Sequence, residues 1–401
     1  MTETKPSSPG RPRLLVLAST FPSHPNDGTP HFVLDLARIQ ARSFDTVVIV
    51  PRVPGSAPVE RIDGVEVRRF RYFPRRWEGL AHGAIIENLR GRRSNWLQVL
   101  PFFIAEILAI RRAVRELHPD VLHVHWIIPQ GLSALVAARR VPWLVTTLGG
   151  DLYALTDPLS TRLKRAVLRR ARAATAMNTQ MCEMLLTLGA PAQRTQVLSM
   201  GAQVDRIRDG AAHVHTTPGR LLFAGRLVEK KGVEVLLRAL RLLPDNLEWS
   251  LRVVGDGPLR ADLERAAAGL PVRFLGQLGL AELAEEYGTS EVIVLPSVRA
   301  ASGDQDGLPV VLIEAMAAGR AVVASALSGI DAAISDGHSG LLVPPGDPTA
   351  LADALTQLLT DASLRERLGE NARSRADEFS VEAVGERYVS LLRDIAGAPD
   401  R

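Results

Sequence analysis

Cysteine is all but missing from this chain, Cys182 being the only one in 401 residues. An internal disulfide is thereby excluded, and a lone thiol in a helical stretch is expected to serve as an apolar filler in a reducing compartment. Lysine is nearly as scarce. Lys5, Lys164, Lys230 and Lys231 are the only four among 48 basic residues, so arginine is the default cation and any single arginine carries little information. Long apolar runs are also lacking. The longest, Trp96 to Ile110, is interrupted by Gln98, Pro101 and Glu106 and falls short of the roughly 20 residues that a helical span requires. Met1 to Pro12 is polar and proline-containing rather than a charged start with an apolar run, so no secretory leader is expected. These absences predict a cytoplasmic protein that does not cross a membrane by itself.

What is present is divided unevenly. Residues 1–200 hold 27 Lys or Arg against 15 Asp or Glu, a net of +12, whereas residues 201–401 hold 21 against 29, a net of −8. The two halves are therefore expected to meet different partners. In the first, Arg68, Arg69, Arg71, Arg75 and Arg76 alternate with Phe70, Tyr72, Phe73 and Trp77, and further arginines follow at 90, 92 and 93 and at 111, 112 and 115. Basic residues interleaved with aromatics suit an anionic membrane surface. They also suit single-stranded nucleic acid, which is the weaker expectation, and no nucleic-acid partner is assigned.

A chain of 401 residues suits two domains. Arg13 to Ser19, Thr46 to Val50, Asp120 to His125 and Trp143 to Thr147 are apolar runs of strand length separated by helical patterns, as in a parallel sheet covered on both faces. The plan restarts at Arg220 to Gly225 and continues through strands near 249–254, 272–275, 291–295 and 321–324. The expected fold class is α/β, with two doubly wound Rossmann-like domains. Residues 1–210, residues 211–380 and a last helical segment, 381–401, are the expected divisions. Ligands of such sheets sit beyond the carboxyl ends of the strands, where the glycine-rich loops fall.

The stretch from Ser302 to Gly319 is the most informative segment. A polar loop leads through Asp306, Gly307 and Leu308 to Pro309, where a helix can begin without a wasted donor, and the helix carries one carboxylate, Glu314, eight residues after Asp306. Bare amides at a helix start favour an anion, and two acids beside them suit the hydroxyls of a sugar nucleotide. The alternative is an ordinary capped helix with a buried, satisfied Glu314. This segment resembles the E-x7-E signature of family 4 glycosyltransferases, with Asp306 in place of the usual first Glu. Gly303-Asp304 and Ser328-Gly329-Ile330 are most similar to the bacterial exopolysaccharide branch. Gly225 to Gly232 resembles the family's G-R-L-x-x-x-K-G loop, Asp120 to Trp126 its D-x-I-H-x-H-W strand end, and Thr146 to Asp151 its T-x-H-G-x-D turn, with Leu148 where many relatives carry histidine.

The resemblance implies a GT-B architecture, two facing domains with an interdomain cleft, and a retaining, metal-independent transfer from a UDP- or GDP-type sugar with no further cofactor. Residues 1–210 would then be the acceptor side and 211–380 the donor side, with 381–401 returning to the first domain. Arg226, Lys231, Asp306, Glu314 and His125 are implied as catalytic. Lys230 is expected to be the solvated neighbour. Gly28, Gly225, Gly255, Gly257, Pro296, Ser297, Gly307, Leu308 and Pro309 are implied on the donor side, and Gly149, Gly150 and Asp151 on the acceptor side. A saccharide or lipid-linked acceptor at the inner membrane face would account for the basic half. His123 shares a strand face with His125, and two histidines without a third ligand do not make a metal site. Leu148 and Asp306 keep open a sugar-binding relative without activity, and a sugar-nucleotide epimerase of similar fold is a second alternative. A dehydrogenase is the weakest, because Gly255-Asp256-Gly257 lacks the third glycine of a dinucleotide fingerprint.

Overall fold

The computed structural model describes residues 10–23, 31–81, 85–153, 155–301 and 303–397. It divides into two compact units, one comprising residues 1–176, 181–200 and 384–401, the other 177–180 and 201–383. Among the described residues the first unit is built on a sheet of β1 (Arg13–Leu17), β2 (Asp45–Pro51), β3 (Val59–Ile62), β4 (Val65–Phe70), β5 (Val121–His125), β6 (Trp143–Thr146), β7 (Ala173–Ala176) and β8 (Thr195–Val197). The order is β3-β4-β2-β1-β5-β6-β7-β8. All pairings are parallel except β3 with β4. The strand order reverses direction between β1 and β5, so that is this sheet's switch point.

The second sheet contains β9 (Arg220–Ala224), β10 (Ser250–Val254), β11 (Val272–Gly276), β12 (Val292–Leu295), β13 (Ala321–Ser325) and β14 (Leu341–Val343). Its order is β11-β10-β9-β12-β13-β14, parallel throughout, and its switch point lies between β9 and β12. Side-chain alternation separates two cores. Leu221, Phe223, Leu251, Val253, Val292 and Val294 pack on one face, while Leu222, Ala224, Val254, Ile293 and Leu295 pack on the other. Burial on both faces explains why these strands read as continuous apolar runs.

In the first unit the helix Val99–Leu117 buries Phe102, Glu106, Ile110 and Ala113. Phe102 meets Phe70 and Tyr72 edge-on, at centroid distances of 5.4 and 5.2 Å. The helix Val381–Ala396 belongs to this unit from Val384 onward. Its fully buried Tyr388 lies 5.2 Å from the His123 ring, and Gly385 leaves no room for a side chain beside Ile39. Cys182 is half-buried on the helix Thr179–Thr187, so it fills its position only in part.

Candidate functional site

The switch point of the second sheet gathers most of the motif residues. The loop after β9 is hydrogen-bonded to the loop after β12, the Val298 N–H donating to the Lys230 carbonyl at 2.8 Å. Glycine is required for this contact. Gly232 has φ +65, and a Cβ there would lie 1.8 Å from the Pro296 oxygen. The loop after β10 closes on the same place, since a Cβ on Gly255 would meet the Gly225 oxygen at 2.0 Å and one on Gly257 the Leu227 oxygen at 2.4 Å. Gly255 and Gly257 thus let the loop after β10 approach its neighbour closely.

Charge is concentrated where these loops meet. Asp306 is buried, and its Oδ2 accepts from Lys231 Nζ at 2.9 Å and from Ser297 Oγ at 2.7 Å. Lys230, expected to be solvated, instead lies 3.1 Å from Asp304 and 3.9 Å from Asp306. Nothing local in the sequence signals this pairing, because the contact of residues 304–306 with Lys230 and Lys231 is tertiary. Burial alone would push the Asp306 carboxyl up. The two lysines and the bonds from Lys231 and Ser297 outweigh it and hold the carboxyl below its usual range. The result is an ionised acid locking a lysine whose side chain keeps 17% of its exposure. Arg226 is exposed on the same loop.

Pro309 is the N-cap of the helix Val310–Ala317, and no side chain caps the start. Gly307 and Leu308 are half-buried just before it. Glu314 is buried within the helix, and its Oε2 accepts from the Tyr287 hydroxyl at 2.9 Å. Burial, then the nearby Glu314 carboxylate, push the Tyr287 phenol well above its ordinary value, so it remains a donor. Tyr287 escaped notice in the sequence because it occupies an ordinary apolar position of the helix Leu280–Thr289.

In the first unit the polar residues at the strand ends are buried and serve one another. Gln40 Nε2 lies 2.8 Å from His123 Nδ1, and His123 Nε2 lies 2.8 Å from Thr146 Oγ1. With the Gln40 amide nitrogen donating, Nδ1 accepts and the proton sits on Nε2. The chain continues through Thr175 to Tyr388, whose hydroxyl donates to the Leu198 carbonyl at 3.1 Å. Asp151 has both oxygens engaged at 2.6 Å, one by the Ile127 N–H and one by the Thr147 hydroxyl. Burial nonetheless raises its pKa. Gly150 opens the short helix that carries it, with Gly149 just before, and Leu148 is half-buried. His125 differs from these. It is fully buried, neither ring nitrogen has a hydrogen-bond partner among the described residues, and its ring lies 4.1 Å from that of His123. Burial pulls its pKa down to about 3, so it is a neutral imidazole. Gly28 lies outside the described residues.

The arginine–aromatic cluster is partly internal. Arg68 pairs with Glu66 and Glu116 at 2.7 and 2.8 Å. Arg69 is buried, pairing with Glu60 at 2.8 Å and donating to the Pro22 carbonyl at 2.6 Å. Strand pairing of β3 with β4 brings Glu60 there, and Phe70 and Tyr72 turn inward. Arg71, Arg76 and Trp77 stay exposed, with the Arg76 guanidinium 4.4 Å over the Trp77 ring. Among the described residues no three His, Cys, Asp or Glu side chains come together as a metal site, and no helix is long and apolar enough to cross a membrane.

Comparison with known proteins bears on both units. Residues 27–201 match the glycosyl transferase 4-like domain, and residues 218–361 match the glycosyl transferases group 1 domain. A Salmonella typhimurium protein that carries the name colanic acid biosynthesis glycosyltransferase is 32% identical over 218 residues, 53% of this chain and 54% of that protein. The chain thus spans about half the length of that relative. Among solved structures, sucrose-phosphate synthase from Thermosynechococcus elongatus superposes with a TM-score of 0.78 at 22% identity, covering 97% of this chain and all of the other. Anabaena HepE, solved with UDP and glucose, gives 0.71 at 17% identity, covering 96% of this chain and all of the other. These likenesses establish two Rossmann-like domains of the GT-B fold. By its two matched domains and this fold, the chain belongs to the GT-B type glycosyltransferases, related to those of bacterial exopolysaccharide and colanic acid synthesis.

Proposed function

We propose that this protein is a retaining, metal-independent glycosyltransferase that moves a sugar from a UDP- or GDP-type donor to a saccharide or lipid-linked acceptor in cell-surface polysaccharide or glycolipid synthesis. The observation that carries the reading is the cluster of Lys231, Lys230, Asp306, Asp304 and Ser297 at the β9/β12 switch point. When the bond between the anomeric carbon and the diphosphate oxygen breaks, its electron pair stays on the nucleoside diphosphate. Negative charge therefore grows on the leaving group, and Lys231 with Arg226 stabilises it where it develops. Asp306 and the amides of Gly307 and Leu308 take the transferred sugar. Glu314, held by Tyr287, takes the ribose hydroxyls, and Pro296 and Ser297 border the base. Gly225, Gly255 and Gly257 shape the floor of this donor site.

On the acceptor side His125 has neither ring nitrogen engaged among the described residues, and it meets the acceptor or the sugar as a neutral imidazole. Asp151, with Gly149 and Gly150, positions the strand-end loops rather than contacting substrate, because its oxygens are already engaged. The protein works in the cytoplasm at the inner membrane face, where the basic first half meets anionic lipid around a lipid-linked acceptor. A thermal-shift panel of nucleoside diphosphates and their sugars tests the donor assignment. A ligand at a hundredfold its Kd adds about 2.7 kcal/mol of stability. A shift with one base that is lost in Glu314→Ala supports the reading, and no shift with any nucleotide sinks it.

A further inference from the structure

The helix Val99–Leu117 carries an exposed face that neither the fold nor the donor chemistry uses. Leu100 is 68% exposed, Ile104 51% and Leu108 57%, and in the 3-10 turn just before the helix Trp96 is 61% and Leu97 74% exposed. Isolated exposed leucines are ordinary, but a contiguous row of them marks a contact surface. At 3.6 residues per turn, Leu100, Ile104, Leu108, Arg111 and Arg115 fall within an arc of roughly 80°. The row is thus apolar for two to three turns and basic beyond, and exposed Arg92 and Arg93 stand at its other end. The acidic residues of the helix lie elsewhere. Glu106 is buried on the opposite side, where it accepts from Gln130 at 3.0 Å and from Ser133 at 2.5 Å. Glu116 is engaged by Arg112 and Arg68.

We propose that this helix is the surface by which the protein docks on an anionic lipid bilayer, lying in the interface with Leu97, Leu100, Ile104 and Leu108 among the acyl chains and the flanking arginines at the headgroups. Charge complementarity favours lipid over a second copy of this chain, because both ends of the row are cationic and would repel their like across an isologous contact. The pattern is that of an interfacial helix, apolar on one side with arginine at the margins, and Trp96 is the side chain suited to the water boundary. The 72–81 segment is tied to the start of the helix, the Gly79 and Leu80 amides both donating to Gln98 Oε1, and its Arg76 and Trp77 are exposed. The inference rests on the membrane reading given above but is independent of the transferase chemistry.

Vesicle co-sedimentation of the full chain tests it, with equal parts phosphatidylglycerol and phosphatidylcholine compared with phosphatidylcholine alone. The wild type is expected to bind the anionic vesicles and to retain part of that binding at about 1 M salt, where charges are screened beyond about 3 Å. The triple variant Leu100→Ser, Ile104→Ser, Leu108→Ser is expected to bind at least about tenfold more weakly. These side chains are exposed, so its unfolding temperature and its nucleotide-induced shift are expected to match the wild type. Arg111→Gln with Arg115→Gln should weaken binding at low salt only. A wild type that ignores both vesicles overturns this inference together with the membrane reading. A triple variant that binds like wild type overturns this inference alone and leaves the membrane contact to other arginines. If the wild type sediments as a dimer, the triple variant as a monomer, and neither binds lipid, the row is an interface between copies and the proposal fails.

Discussion

The two units put their ionisable groups to opposite uses. In the second, Lys231, Lys230, Asp306 and Asp304 pair with one another at a strand-end loop junction, where Asp306 is buried and the other three retain partial exposure. In the first, His123, His125, Glu106 and Asp151 are buried, and in each case burial shifts the pKa toward the neutral form. A cluster of paired charges at a switch point is poised for a ligand that brings its own charge. Buried groups that burial shifts toward the neutral form instead fix strand ends, and among them His125 is left with neither ring nitrogen engaged among the described residues. The surface of the first unit shows the reverse, because its arginines lie outside that set.

The change expected to break the comparison most severely is Lys231→Ala. Losing a fixed cation aimed at a developing oxyanion costs on the order of a hundredfold or more in rate, and the same deletion leaves Asp306 with Lys230 as its only remaining cation among the pairs described. Lys231→Arg is not expected to restore activity, since a planar fork does not reproduce a compact ammonium wedged against Asp306 and Ser297. Transfer rates at saturating donor decide this. A loss of only a fewfold would mean that the second unit's cluster is structural, like the network of the first.

Glu106 sharpens the comparison from the other side. Burial, opposed by bonds from Ser133 and Gln130, raises its pKa from 4.5 to about 7. Below pH 4.5 the carboxyl is protonated in both folded and unfolded chains. As pH rises toward 7 the unfolded chain releases that proton and the folded one does not, so this contribution to stability is lost through that window. At about 1.4 kcal/mol per pH unit it amounts to about 3 kcal/mol. Glu106→Gln should abolish that part of the pH dependence in denaturant titrations from pH 4.5 to 8. An unchanged profile would show that the carboxylate is solvated or paired.

How much of this was legible beforehand follows from which contacts are local. The runs Leu14–Leu17 and Leu221–Ala224 announce parallel strands because both faces are buried, and Asp306, Lys231 and Ser297 stand in loops with recognisable spacing. The antiparallel pair β3 and β4 carries little strand signal because the adjacent charged pairs Glu60-Arg61 and Arg68-Arg69 break the polar–apolar alternation. Arg69 thereby reads as surface although it is buried against Glu60. Lys230 and Tyr287 could not be placed, since their partners lie 74 or more and 27 residues away in the chain. The exposed face of Val99–Leu117 was masked by the buried one, for both are apolar.

Tyr287→Phe is expected to have a smaller effect. It removes only the hydroxyl donated to Glu314, and a bond to a charged partner is worth about 1.5–3 kcal/mol, part of it regained by solvent. Donor affinity should fall by about tenfold, with the rate at saturating donor nearly unchanged. A change in rate without a change in affinity would place Glu314 at the reacting sugar rather than at the ribose.

The smallest effect at neutral pH concerns His125. Its folded pKa of about 3 lies far below the ordinary 6.5, so between pH 5 and 8 it stays neutral and should leave no inflection near 6.5 in the pH–rate profile. Its signature is in stability. Below pH 6.5 the unfolded chain takes up a proton that the folded chain refuses until about pH 3, so stability falls as the solution is acidified. His123, lowered in the same direction, adds to this loss, and Glu106 offsets part of it between pH 4.5 and 6.5. His125→Phe should therefore lose less stability than wild type on going from pH 6.5 to 5, keep the nucleotide-induced shift of the second unit, and raise the KM for acceptor. If the variant retains wild-type acid sensitivity, His125 is protonated in the folded chain and its ring nitrogens have partners. The first unit would then hold a charge of its own, and the contrast between the two units would no longer stand.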